Sequence, residues 1–131
     1  MKPRFLNSSQ ADLVARFVGQ YKDAPLKTSS MIDVCAWGLD PEAIQLAEQI
    51  LQALGKSGCK ITREQPGKYG QVPNEIWMGY DPRNPQWQNI AVGIVGALRN
   101  AGLFVQPAEP MHIDPSTGHL DSPIRIIVGK H

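Results

Sequence analysis

Residues 40–61, DPEAIQLAEQILQALGKSGCKI, and residues 84–105, NPQWQNIAVGIVGALRNAGLFV, follow the same plan 44 positions apart. Each opens on a short polar residue and a proline. That pairing suits a helix start, because the polar side chain accepts an orphan amide and proline has no amide to leave unpaired. In the first copy Glu42 adds negative charge where the helix dipole favours it. Ile44, Ala47, Ile50, Leu51 and Leu54 then recur at helical spacing, as do Ile90, Ala91, Ile94, Val95 and Leu98 in the second copy. Gly58 and Gly102 stop the two helices. Pro41 matches Pro85, Ala47 matches Ala91, Ile50 matches Ile94, Ala53 matches Ala97, Leu54 matches Leu98 and Gly58 matches Gly102. These are cap, core and stop positions, so the repetition marks an architecture before it marks a site. Shared helix rules account for most of the identities, with or without a duplicated origin.

Short apolar segments flank both helices. SMIDVCAWG (30–38) and CKITRE (59–64) read as strands around the first, EIWMGY (75–80) and LFVQ (103–106) as strands around the second. The spacing thus predicts two βαβ units, 30–61 and 75–106. QPGKYGQVPN (65–74) is a loop between them, rich in proline and glycine. Ahead of the units, LNSSQADLVARFVGQY predicts a helix over 9–21, with Asn7 or Ser8 as cap and Gln10 near the capping-box position. Behind them, the polar, proline-rich 107–122 leads to a terminal strand over 123–129, in which Arg125 is the lone charge.

Two architectures accommodate this order. In a three-layer doubly wound, Rossmann-like α/β sheet of order 2-1-3-4, right-handed crossovers leave helices on both faces. In a ferredoxin-like α+β sandwich both helices share one face. The leading helix and the 10-residue connection favour the doubly wound α/β fold, since an extra amphipathic helix can cover a second sheet face.

The composition fits one such domain. A chain of 131 residues, 42% hydrophobic, buries roughly 68% of its unfolded surface without staples. Thirteen basic side chains against 12 acidic ones give a formal charge of +1, with no block of like charge, so no nucleic-acid partner is expected. Cys35 and Cys59 have no CxxC or Cys/His spacing and read as two reduced, partly buried thiols, which suits the cytoplasm. The sequence has no run of 18 apolar residues and no signal-like N-terminal core, so neither membrane insertion nor export of this chain is expected.

The combination of LNSSQADLVARF, DVCAWGLDPEAIQLAEQILQALGKSG, NEIWMGYDPRNP and a terminal IRIIVGKH resembles a poorly characterised family of bacterial α/β domains. Its members are often encoded after membrane-spanning segments, with a DPEA-like helix opening and an ending near VG-x-K. The resemblance spans nearly the whole chain and departs at Cys59, where an aromatic residue is expected. It implies a bacterial soluble module of the kind found in membrane-anchored parents, with no established activity and no catalytic residues to transfer.

The sequence contains no phosphate-loop glycine pattern, GxSxG elbow or HExxH pair, so no catalytic residue, metal or cofactor is assigned. His112, His119, Asp114 and Asp121 share the 107–122 loop, where a solvated polar role outweighs a metal cluster. His131 is the last residue. In the doubly wound arrangement the first and third strands end side by side, which would gather Trp37, Gly38 and Asp40 with Tyr80, Asp81, Arg83, Asn84 and Trp87. Helix amides and Arg83 would hold a nucleotide or small anion there, and the aromatic rings would stack on it. Asp40 and Glu42 oppose that anion, and Asp40 and Asp81 lack a partner base or nucleophile, so hydrolase or transferase chemistry ranks last. The leading expectation is a non-catalytic sensory or protein-interaction module that associates with itself or another protein. Its candidate surfaces are strand 124–128, taken as a sheet edge, and the face of the first helix near Phe5, Phe17 and Val18.

Overall fold

A computed structural model describes residues 3–69 and 74–131 of the chain. Part of the connection predicted over 65–74 therefore lies outside the described residues.

The first helix, α1 (Ser8–Val18), starts at a capping box: Asn7 accepts from the Gln10 amide and the Gln10 side chain accepts from the Asn7 amide. A 3-10 turn, Gly19–Tyr21, extends it. Strand β1 (Ile32–Ala36) follows, then α2 (Pro41–Lys56), β2 (Ile61–Arg63), β3 (Ile76–Tyr80), α3 (Pro85–Asn100), β4 (Glu109–Pro110) and β5 (Ile124–Val128). Asp40 and Asn84 cap α2 and α3, with proline in the first turn of each. Gly58 (φ 88°) and Gly102 (φ 91°) take the left-handed conformation just past the helix ends, where a side chain would be strained. The repeat therefore encodes helix starts and stops as read.

The sheet is mixed, in the order β2-β1-β5-β3-β4. β1 pairs in parallel with β2 and β5, β3 pairs antiparallel with β5, and β3 pairs in parallel with β4. The α/β class is as expected, but the strand order is not. The terminal strand enters the middle of the sheet, and the second unit runs opposite to the first. That reversal also decides the layering. Two right-handed crossovers that leave antiparallel strands toward opposite edges deposit their helices on the same face. α2 packs on β1, β2 and β5, α3 packs on β3, and α1 lies against both helices. The helices thus form one layer system on one side of the sheet. The ferredoxin-like alternative anticipated this one-sidedness but not the strand order.

Alternation along the strands follows from this. Ile32, Val34 and Ala36 of β1, Ile124, Ile126 and Val128 of β5, and Ile76, Met78 and Tyr80 of β3 join the helices in one core. Ala43, Leu46, Ile50 and Leu54 enter it from α2, Ile90, Ala91, Ile94 and Leu98 from α3, and Val14 and Val18 from α1. The opposite sheet face carries Asp33, Cys35, Trp77, Arg125 and Ile127. Cys35 and Cys59 are free and buried.

The strand expected over 103–106 is reduced to a single bridge between Ile76 and Val105. Pro107 interrupts pairing because it has no amide to donate, and contact with β3 resumes only at β4, inside the segment read as a loop.

Candidate functional site

The reversal of β3 divides the expected site. In register, Tyr80 lies opposite Ile124 and Ile124 opposite Ile32, whereas Ala36 lies opposite Val128 and Val128 opposite Ile76. Trp37, Gly38 and Asp40 therefore leave one end of the sheet, and Tyr80, Asp81, Arg83, Asn84 and Trp87 leave the other. The two groups are a strand length apart, roughly 13 Å at the usual rise per residue.

At the first end, Asp40 is occupied as a cap, its carboxylate accepting from the Ala43 amide at 3.3 Å. Glu42 is bound by Arg4, whose amide, Nε and Nη2 donate to it at 2.8, 3.0 and 2.5 Å. These contacts hold the Glu42 carboxyl below its usual range. Arg4 also donates to the Gly129 carbonyl at 2.7 Å, so it clasps residues 3–7 to α2 and the end of β5. The Trp37 amide donates to the Val128 carbonyl, and the Lys130 ammonium lies 5.8 Å from the centre of the Trp37 ring. Gly38, at φ 49°, makes the turn into α2. This end is a structural junction.

The second end contains a cleft of about 510 Å3 lined by Lys27, Thr28, Asp81, Arg83, Asn84, Gln86 and Trp87, among others. Asp81 follows the last residue of β3, and its amide donates to the Pro123 carbonyl at 2.8 Å. Its carboxylate accepts from the Arg83 amide, Nε and Nη2, each at 2.9 Å. The guanidinium holds Asp81 below the ordinary carboxylate range. Arg83 Nη1 also donates to the Gly118 carbonyl at 2.6 Å.

The first-turn amides of α3 are not open to an anion as expected. Pro85 has none, the Gln86 amide donates to Asn84 Oδ1 at 3.1 Å, and the Trp87 amide donates to the Asn84 carbonyl at 3.1 Å. Tyr80 and Trp87 are core residues, 8% and 6% exposed, so neither ring stands free to stack on a ligand.

The face away from the helices holds an ion pair that sequence reasoning missed. Asp33, fully buried, accepts from Arg125 Nε at 3.1 Å. The Tyr69 hydroxyl donates to Asp33 at 3.3 Å, and the Arg125 guanidinium stacks 3.6 Å from the centre of the Tyr69 ring. Burial raises the Asp33 carboxyl although Arg125 opposes it, and burial also pushes the Tyr69 hydroxyl up to about 12. Asp33 is paired through both of its oxygens, so the group fastens the loop carrying Tyr69 to the sheet. In the 107–122 loop, His119 pairs with Asp121 at 2.8 Å and Asp114 holds Ser116. No three His, Cys, Asp or Glu side chains gather as a metal site among the described residues.

The outer surface of α1 carries two exposed apolar side chains beside the polar Asp12 and Arg16. Leu13 and Phe17, one turn apart, are 61% and 42% exposed, and Phe5 is 58% exposed. Val18, expected on the same surface, is buried because it lies on the core side of the helix. Leu13, Phe17, Ala97 and Ala101 line a groove of about 430 Å3 between α1 and α3. Its α3 side is formed by Ala97, Asn100 and Ala101. Phe17 meets Tyr21 edge to face at 6.1 Å, and Tyr21 packs against Gly93. The other expected surface is gone, since β5 is paired on both sides. The actual edges, β2 and β4, have three and two residues.

No protein-family model, curated protein sequence or solved structure matches the chain. No helix among the described residues is long and apolar enough to cross a membrane.

Proposed function

We propose that the chain is a non-catalytic interaction module that pairs with a second copy of itself through the α1–α3 groove. The observation that carries this reading is the coexistence of Leu13 and Phe17 as exposed protrusions with the groove of about 430 Å3 that they line together with Ala97 and Ala101. A patch carrying both protrusions and a hollow can complement itself about a two-fold axis, as an isologous dimer requires. Exposed apolar surface concentrated in this way favours association. The sheet edges contribute little, because β2 and β4 have only three and two residues and β4 ends on Pro110, which makes them poor templates for pairing. If a bacterial parent anchors the chain at a membrane, pairing of the modules would cluster that parent.

Sedimentation velocity across a concentration series tests the reading. The expected result is a reversible dimer that Leu13→Lys shifts to monomer with the far-UV circular dichroism spectrum unchanged, and a melting temperature that rises with concentration for the parent alone. A monomer at every concentration, or a dimer indifferent to Leu13→Lys, would overturn it.

A further inference from the structure

We propose that the cleft at the end of β3 binds a small organic anion, a carboxylate or phosphate monoester carried on an apolar or flat body. This site is separate from the α1–α3 groove and does not depend on self-association.

The charge of the lining sets the class of ligand. Lys27 and Arg83 are positive and Asp81 is negative, so two positive charges less one negative leave +1. Lys27 has no ion-pair partner among the described residues. Arg83 uses Nε and one N–H of Nη2 on Asp81, and one N–H of Nη1 on Gly118. A guanidinium has five N–H donors, so one remains on each terminal nitrogen. Such a pair suits the two oxygens of a carboxylate or phosphate. The Asn84 amide oxygen is committed to its cap, which leaves its NH2 group as a donor. Arg83 engages both oxygens of Asp81, which offsets the charge of that carboxylate and leaves the Lys27 ammonium as the uncompensated charge of the lining. Around this polar wall, Leu26, Leu120, Pro123 and the edge of Trp87 supply an apolar surface for the body of the ligand.

The walls are also fixed in advance. Thr28 Oγ1 donates to the Ser30 carbonyl at 2.7 Å, and the Ser30 and Ser122 hydroxyls, both buried, are 2.5 Å apart. These bonds tie the segment between α1 and β1 to the segment entering β5. The Arg83 bond to Gly118 ties the opposite wall to the same loop. Preorganised donors lose less entropy on binding than flexible ones. The volume of about 510 Å3 lies within the usual range for small-molecule sites.

The test is a 15N-NMR titration of the full chain with phenyl phosphate, benzoate and neutral benzyl alcohol. Either anion is expected to shift the Thr28 and Gln86 amides, the Arg83 Nε and the Trp87 indole, while benzyl alcohol leaves them in place. The anion that binds more tightly identifies the preferred head group. Lys27→Ala, at an exposed side chain, should weaken binding about tenfold with the rest of the spectrum unchanged. The proposal fails if neither anion shifts these signals, if benzyl alcohol shifts them equally, or if Lys27→Ala binds as tightly as the parent.

Discussion

Replacing Ile126 by alanine probes the position of β5. At the centre of the sheet, Ile126 is fully buried against the helices, with Val34 on one side and Met78 on the other. The substitution removes three carbons, about 2.4 kcal/mol of transfer free energy at about 0.8 per buried carbon. Neighbours held by two strand ladders cannot collapse fully, and the residual cavity adds up to about 2 kcal/mol. A total of about 2–4 kcal/mol is expected. With a urea dependence of about 2 kcal/mol per molar, the unfolding midpoint should fall by about 1–2 M. Circular dichroism in urea measures it, with Val92→Ala as the exposed control, expected within about 0.5 kcal/mol of the parent. If Ile126→Ala moves the midpoint no further than Val92→Ala does, β5 is not a central strand.

Ala91 is fully buried and Ala47 is 8% exposed, so leucine at either position should cost about 1–3 kcal/mol by overpacking, read from the same urea curves. Asn84→Ala removes the α3 cap and should cost about 0.5–2 kcal/mol. Gly79→Ala should destabilise and perturb tryptophan fluorescence, because its Cβ would lie 2.2 Å from the Trp77 ring and 2.6 Å from Met111. The lowered Glu42 carboxyl predicts a pH dependence: its stabilisation is present above its ordinary value of 4.5 and is lost as pH falls through the lower folded value. Thermal melts from pH 5 downward should therefore fall more steeply for the parent than for Glu42→Gln.

The local structure was legible because its determinants are local. Asn7, Asp40 and Asn84 sit before the first helical turns, and Gly58 and Gly102 follow the last ones, so caps and stops could be read within a few residues. The strand order depends on which distant segments pair, and there the expectation went astray. Two signals pointed to the observed arrangement. IRIIV is nearly continuous in apolar residues, which suits a strand buried on both faces better than an edge. IDVCA and IRIIV each carry one charge of opposite sign at the second position, and those charges meet in register as Asp33 and Arg125. The division of the candidate site follows from the same misplacement, because two strand ends lie together only when their strands run the same way. Lys27 and Thr28 carried no signal in the sequence. They reach the cleft only because the segment between α1 and β1 folds against the loop entering β5.

Oxidative cross-linking at engineered cysteines tests the proposed pairing most directly, because the native cysteines are buried. Leu13→Cys, in the groove, should form a covalent dimer readily. Leu39→Cys, 84% exposed at the far end of the sheet, should remain largely monomeric. Equal cross-linking at the two positions, or none at Leu13→Cys, would contradict self-association through the α1–α3 face.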